Sequence, residues 1–280
     1  MTAELDHGSG TAVTPGAGAG AGSGSTADGT GSGGAGPAHV EVLRDGGVAH
    51  VVIGDGRRRN ALTSQGWTAI RDTVVSLSND PEVRALVVCG AGDTFCAGSD
   101  LTEWAGADEA HVEGSFARME SAFRAVEACP VPVIAQVSGV AAGAGCQLAL
   151  ACDLRVVTGS ARVGMPIARL GIRTSPSFAA RMNMLAGPSV TRDLLYTGRL
   201  LDGAEAVSAG LADRCVAEDE LSATVGDMAA RIARQPAEAV RAAKSAVETA
   251  LAPVRTATLH NTGPAVTFDR FREAVADFVR

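Results

Sequence analysis

Apolar residues in this chain follow two alternating rhythms. Val48–Ile53, Ala85–Cys89, Val131–Val137 and Leu154–Val157 are short, largely hydrophobic runs bounded by Gly, Asp or Pro. Such runs read as strands covered on both faces. Between them lie longer segments with helical spacing. Thr63–Asn79 opens on hydroxyl capping residues, sets Ile70, Val74 and Leu77 on one stripe, and stops before Pro81. Asp108–Ala128 gathers Phe116, Met119, Phe123 and Val126 on one face, and a further helix opens near Gly145. Strand, loop and helix recur without a long-period sequence repeat, which predicts an α/β fold. After Leu200 the rhythm changes to helices alone, at Asp202–Ala209, Asp219–Arg234, Pro236–Leu251 and Val266–Val279. Their apolar stripes need a partner surface, either the main domain or another subunit.

Composition adds boundaries to this pattern. Residues 8–36 hold twelve of the 34 glycines, interleaved with Ala, Ser and Thr. Such a stretch buries too little to offset its ordering entropy, so residues 1–37 read as a flexible tail. The core then spans 38–200, and a C-terminal helical region 201–280. The tail lacks the basic start and apolar run of a secretory signal. A net charge of −7 and a pI near 5.3 argue against nucleic acid as a partner. Six cysteines (89, 96, 129, 146, 152, 215) are scattered, with no CxxC and no His at ligand spacing. A reduced cytoplasm fits them, and a structural metal does not. The longest apolar stretch, Val137–Leu154, is interrupted by Gly139, Gly143 and Gly145, so no membrane span is expected. Lys244 is the single lysine and falls on a predicted surface helix, which removes Schiff-base chemistry from consideration.

The glycine turn SGVAAGAG (Ser138–Gly145) follows a strand and opens a helix. That context suits a dinucleotide site of the short-chain dehydrogenase type. Such an enzyme also needs a Tyr with a Lys four residues on, whereas Tyr196 is followed by Leu200. The turn would also sit behind two strands that those folds place after it. The same backbone physics serves an anion site without a cofactor. Free N–H groups of a first helical turn point outward. One of them, paired with an N–H from a second loop, can hold a thioester oxyanion.

That second loop is FCAGSDL (Phe95–Leu101). Together with RNAL (Arg59–Leu62), PVIAQVSGVAAGAGCQLALACDL and TGRLLDGAEAVSAGLAD, it resembles the enoyl-CoA hydratase/isomerase (crotonase) family in order and spacing. The resemblance covers roughly residues 40–250. It implies a spiral of ββα repeats, a trimer or hexamer, and an acyl-coenzyme A ligand with no separate cofactor. By position, the oxyanion N–H donors would be Ser99 and Ala144. Ala97, Gly98, Asp100, Leu101 and Gly143 would surround the acyl group, and Arg58 would meet the coenzyme A phosphates. The plain alternative for Arg57–Arg59 is a solvated basic loop.

Water-adding relatives carry two glutamates where this chain has Gln147 and Ile167. An amide cannot exchange a proton at accessible pH, and an isoleucine carries none. The resemblance therefore implies thioester chemistry that runs on the oxyanion hole: isomerisation, decarboxylation or slow hydration. Acyl-CoA binding without catalysis is the other reading. Relatives also place bases elsewhere around the pocket, here at Glu120 or near Ser175. The plain readings are a surface carboxylate for Glu120 and a helix cap for Ser175. His111 is expected on a solvent face, and Asp153 is expected to cap or anchor the strand after the helix.

Overall fold

The apolar runs form one twisted sheet. The computed structural model describes residues 40–257 and 263–280, and the predicted tail lies outside them. Strands β1 (Val40–Asp45), β2 (Val48–Ile53), β3 (Ala85–Gly90), β4 (Val133–Val137), β6 (Leu154–Thr158) and β8 (Arg214–Val216) pair in that order. The β1–β2 hairpin is antiparallel, and every later pairing in this sheet is parallel, with Val51 opposite Val88 and Val88 opposite Ala135. A second, two-stranded parallel sheet joins β5 (Val140–Ala142) to β7 (Arg162–Gly164).

Side chains alternate between two buried faces, which explains the unbroken hydrophobic runs. Leu86 and Val88 of β3 point to a large core with Trp67 of α1 (Ser64–Ser78) and Phe123 of α2 (Glu109–Glu127). Ala85 and Val87 point the other way, against Leu221, Val225 and Ala229 of α6 (Leu221–Ala233). Trp67 and Phe123 meet edge to face at 5.4 Å, a geometry that aromatic quadrupoles favour.

Sequence periodicity placed most elements within two residues. Thr63 caps α1 and Asp108 caps α2, each accepting from a backbone N–H of the first turn. The expectation of helices alone beyond Leu200 is corrected by β8, which follows α5 (Gly203–Ser208) and adds to the edge of the main sheet beside β6. Three residues are too few to show a period of two. The described residues form one contact unit. Helix α4 (Pro176–Thr197) was not anticipated, because Gly187, at φ 73°, and Pro188 break it midway. Lys244 is also corrected. It lies on α7 (Ala237–Ala257), but its ammonium is buried, donating to Asp153 at 2.7 Å and to the carbonyl of Val131 at 3.1 Å. Asp153 also accepts from Val133 N–H at 2.7 Å, so its carboxylate anchors β4 rather than β6, the strand that follows the helix.

A third cluster docks α8 (Phe268–Val279) on the turn Leu101–Trp104, through Trp104, Val112, Phe271 and Val275. The chain's last helix thereby reaches the loops that leave β3. In parallel α/β sheets, ligand crevices form at those carboxyl ends of strands.

Candidate functional site

The two motif loops are zipped together by main-chain bonds. Cys96 N–H donates to Val140 O at 2.8 Å, and Ala142 N–H donates to Cys96 O at 3.1 Å. On its other side the first loop pairs with Leu62, which donates to Gly98 O at 2.8 Å and accepts from Asp100 N–H at 2.9 Å. Because the peptide is trans and the Gly98 carbonyl faces Leu62, the Ser99 N–H faces away from Leu62. It has no acceptor among the described residues.

Gly143, at φ 55° and ψ −120°, turns the chain into α3 (Ala144–Ala151). A side chain would resist that backbone region. Gly143 N–H is taken by Gly164 O at 2.9 Å, whereas Ala144 N–H, the first of the helix, has no acceptor among the described residues. A Cβ built on Gly98 would lie 3.2 Å from Ala144 N. A Cβ on Gly145 would lie 2.0 Å from Cys96 O. Small residues thus let the two loops press together and bring both amides to one wall.

That wall belongs to a cavity of about 690 Å³. Ala97, Gly98, Ser99, Asp100 and Leu101 line it, and so do Gly143, Ala144, Ile167 and Arg58. Ile167 is buried, with its Cγ2 3.8 Å from the position a Gly143 Cβ would take. Asp100 is the only carboxylate on the wall among the described residues. Its oxygens are engaged by Arg58 at 2.6 Å and by Thr102 at 2.7 and 3.0 Å. Arg58 rides on three successive residues with positive φ, Arg58, Arg59 and Asn60. The Asn60 amide braces that strained turn, donating to Thr94 O at 2.7 Å and Ala91 O at 2.9 Å.

Four residues singled out in the sequence lie elsewhere. Glu120 does not line this cavity. Its carboxylate binds Arg181 at 2.8 and 3.1 Å, facing a separate recess of about 600 Å³ between α2, α4 and α7. A base must reach the reacting carbon, so Glu120 is withdrawn from that role. Ser175 caps α4, accepting from Phe178 N–H at 3.2 Å. Gln147 is buried behind the wall and contacts Arg181, Phe178 and Met165. His111 is exposed, 3.6 Å from Glu103.

Sequence reasoning reached Arg59 through the Arg57–Arg59 cluster but missed Arg162 and Arg169 at the mouth, and Phe178 and Phe278 on the wall. Phe116 and Met119 were visible only as the apolar face of a helix. Nothing in the sequence placed Phe278, because its position depends on how α8 docks.

The buried thiols are not nucleophiles. Burial pushes Cys96, Cys146 and Cys152 up to about 12, and Cys89 up to about 11. A thiol whose folded pKa is raised stabilises the fold below its unfolded pKa and loses that contribution as pH climbs towards the folded value. The thermal midpoint under reductant is therefore expected to fall as pH rises from about 9 to 11. Replacing Cys146 by Ala should flatten part of that slope. A midpoint that stays level up to pH ~11 would contradict the assignment.

Comparison with known proteins gives the family and the fold. The family model described as enoyl-CoA hydratase/isomerase matches residues 44–269. A crotonyl-CoA hydratase of Syntrophomonas wolfei is 36% identical over 188 residues, covering 67% of this chain and 72% of that protein. A short-chain-enoyl-CoA hydratase of Clostridium acetobutylicum is 33% identical over 207 residues, covering 73% and 78%. Among solved structures, an enoyl-CoA hydratase from Mycobacterium avium subsp. paratuberculosis superposes with a TM-score of 0.75 at 27% identity. That match covers 86% of this chain and 95% of the other. The chain belongs to the enoyl-CoA hydratase/isomerase family, and its α/β architecture is the crotonase fold.

No described helix is long and apolar enough to cross a membrane. No group of metal-ligating side chains is assembled among the described residues.

Proposed function

We propose that this protein binds an acyl-coenzyme A thioester with its carbonyl oxygen between the N–H groups of Ser99 and Ala144, and decarboxylates a malonyl-type acyl group. The observation that carries the reading is the wall itself. It combines two unpartnered amides with no free carboxylate among the described residues. Hydration and double-bond migration both need a group that takes or gives a proton at carbon. Loss of carbon dioxide does not. The bond between Cα and the carboxyl carbon breaks, and its electron pair enters the thioester enolate. The hole stabilises the enolate oxygen, and water then protonates Cα.

Ile167 supports this direction of chemistry. Its methyl groups stand where hydratases place an acid, so a carboxylate there would be poorly solvated, and carbon dioxide leaves more readily from such a site. Arg59, Arg162 and Arg169 at the mouth suit the phosphates of coenzyme A. Arg58 contributes indirectly, by fixing Asp100 and the loop that carries Ser99. The exposed Val247 and Val254 of α7 would be covered in a homotrimer or hexamer.

The test sets methylmalonyl-CoA and malonyl-CoA beside crotonyl-CoA. Release of carbon dioxide from either malonyl-type thioester, at least about tenfold faster than hydration of crotonyl-CoA, is the expected result. Tight binding of all three without turnover would make the protein an acyl-CoA binder instead. Faster crotonyl-CoA hydration would overturn the choice of reaction.

A further inference from the structure

The slot that hydratases fill with a catalytic glutamate is neither empty nor idle in this chain. Gln147 is fully buried and sits one turn beyond Ala144 on α3. Its Nε2 donates to Phe178 O at 3.4 Å and approaches the Met165 sulfur at 3.5 Å. Its Oε1 accepts from Arg181 Nη1 at 3.5 Å. Phe178 lines the cavity, and Met165 precedes Pro166 and Ile167, which line it too. One amide thus ties the helix that presents Ala144 N–H to two other pieces of the same wall.

Arg181 is the anchor behind it. The guanidinium has five N–H donors, and the surroundings answer all five. Nε and one Nη2 proton go to Glu127, at 2.8 and 3.2 Å. The other Nη2 proton and one Nη1 proton go to Glu120, at 2.8 and 3.1 Å. The last Nη1 proton goes to Gln147. Phe123 lies beneath, 5.2 Å from the guanidinium carbon. Arg124 also meets Glu120 at 3.3 Å and Arg255 approaches Glu127 at 4.0 Å, so each carboxylate already has its cations. A neutral acceptor completes the cluster, whereas a third carboxylate would add unfavourable charge away from water.

We propose that Gln147 and Arg181 form a positioning pair that sets where the α3 N-terminus, and with it Ala144 N–H, meets the thioester oxygen. This rests on the reading that Ser99 and Ala144 form the hole. Gln147 touches no reacting atom. It holds the helix, and Arg181 holds Gln147.

The readout is the carbonyl stretch of [1-13C]butyryl-CoA, taken by isotope-edited infrared difference on the full chain, because a hydrogen-bonded thioester carbonyl absorbs at lower frequency. The wild-type protein should lower it on binding. Gln147→Met, close in volume, should keep Kd within about threefold while losing roughly half or more of the shift. Gln147→Glu supplies a second variant. Its carboxyl would face Arg181 from α4 and Glu120 and Glu127 from α2, with Arg124 and Arg255 behind them. Protonated, that carboxyl can mimic the amide, so the shift should be near wild type at about pH 6 and erode by about pH 8.5.

If Gln147→Met does not fold, the pH series of Gln147→Glu decides. Variants that fold and keep the full shift at both pH values overturn the positioning role. So does a loss of shift that only tracks unfolding by circular dichroism. A wild-type protein that binds butyryl-CoA without lowering the stretch overturns the hole itself, a failure distinct from that of the pair.

Discussion

Replacing Arg181 by methionine is expected to destabilise the fold by about 3–5 kcal/mol, measured by urea denaturation at neutral pH. The side chain is 4% exposed and lies between two carboxylates that are themselves 16% and 11% exposed. Removing the cation leaves Glu120 and Glu127 to the more exposed Arg124 and the more distant Arg255, with little water to screen them. Burial alone would lower the arginine's pKa, but its bonds to Glu120 and Glu127 outweigh that and raise it. A cation whose folded pKa is raised contributes at every pH below its unfolded value, so no loss of this contribution is expected anywhere in the physiological range.

The mechanism separates from simple loss of volume by a second change. Adding Glu120→Gln and Glu127→Gln to the methionine variant should recover more than half of the lost stability, because the poorly compensated charges are gone. A single Arg181→Met that costs less than about 1 kcal/mol would show that the cluster is solvated and contributes as a surface pair does. The same result would weaken the case that Arg181 anchors Gln147.

The contrast between Gln147 and Ile167 shows what a linear sequence conveys about this site. Both were identified from motif spacing as the slots of the two missing glutamates. Spacing fixes the backbone station of a residue, and for Ile167 that sufficed: an apolar side chain at the cavity wall simply stays there. For Gln147 it did not suffice. An amide has donors and acceptors to satisfy, and its partners come from α4 and from the segment after β7, which are distant in sequence. Glu120 misled in the same way. The resemblance to relatives located it near the site, but the partner that claims its carboxylate lies 61 residues downstream.

The strands and early helices were legible because their signals are local: continuous apolar runs, capping hydroxyls and carboxylates, and prolines. Strand β8 and helix α8 were harder to place because short or amphipathic segments are fixed by what they dock against. The oxyanion loops were readable from their glycines, since only small residues permit the 2.0 Å and 3.2 Å approaches that Cβ atoms would make there. Arg162 and Arg169 were hidden among 23 arginines in a chain with a single lysine, where abundance masks position.

Gly98→Ala is the sharpest probe of those loops, with an expected loss of about 10²–10³-fold in turnover. Gly98 has φ 108°, and an added methyl carbon would stand 3.0 Å from Ala142 O and 3.2 Å from Ala144 N. It would sit on the amide proposed to hold the oxygen, and the backbone would resist the conformation by about 1–3 kcal/mol besides. Gly106→Ala separates the two effects. Gly106 also has positive φ, at 75°, but nothing lies within 4 Å of its Cβ position. It should lose stability on a similar scale and keep turnover within about threefold. Ligand affinity adds a further distinction, since a blocked hole weakens the grip on the enolate more than that on coenzyme A. Kd for free coenzyme A should therefore be unchanged in Gly98→Ala while turnover collapses. A folded Gly98→Ala protein with wild-type turnover would mean that the thioester oxygen is held somewhere other than between residues 99 and 144.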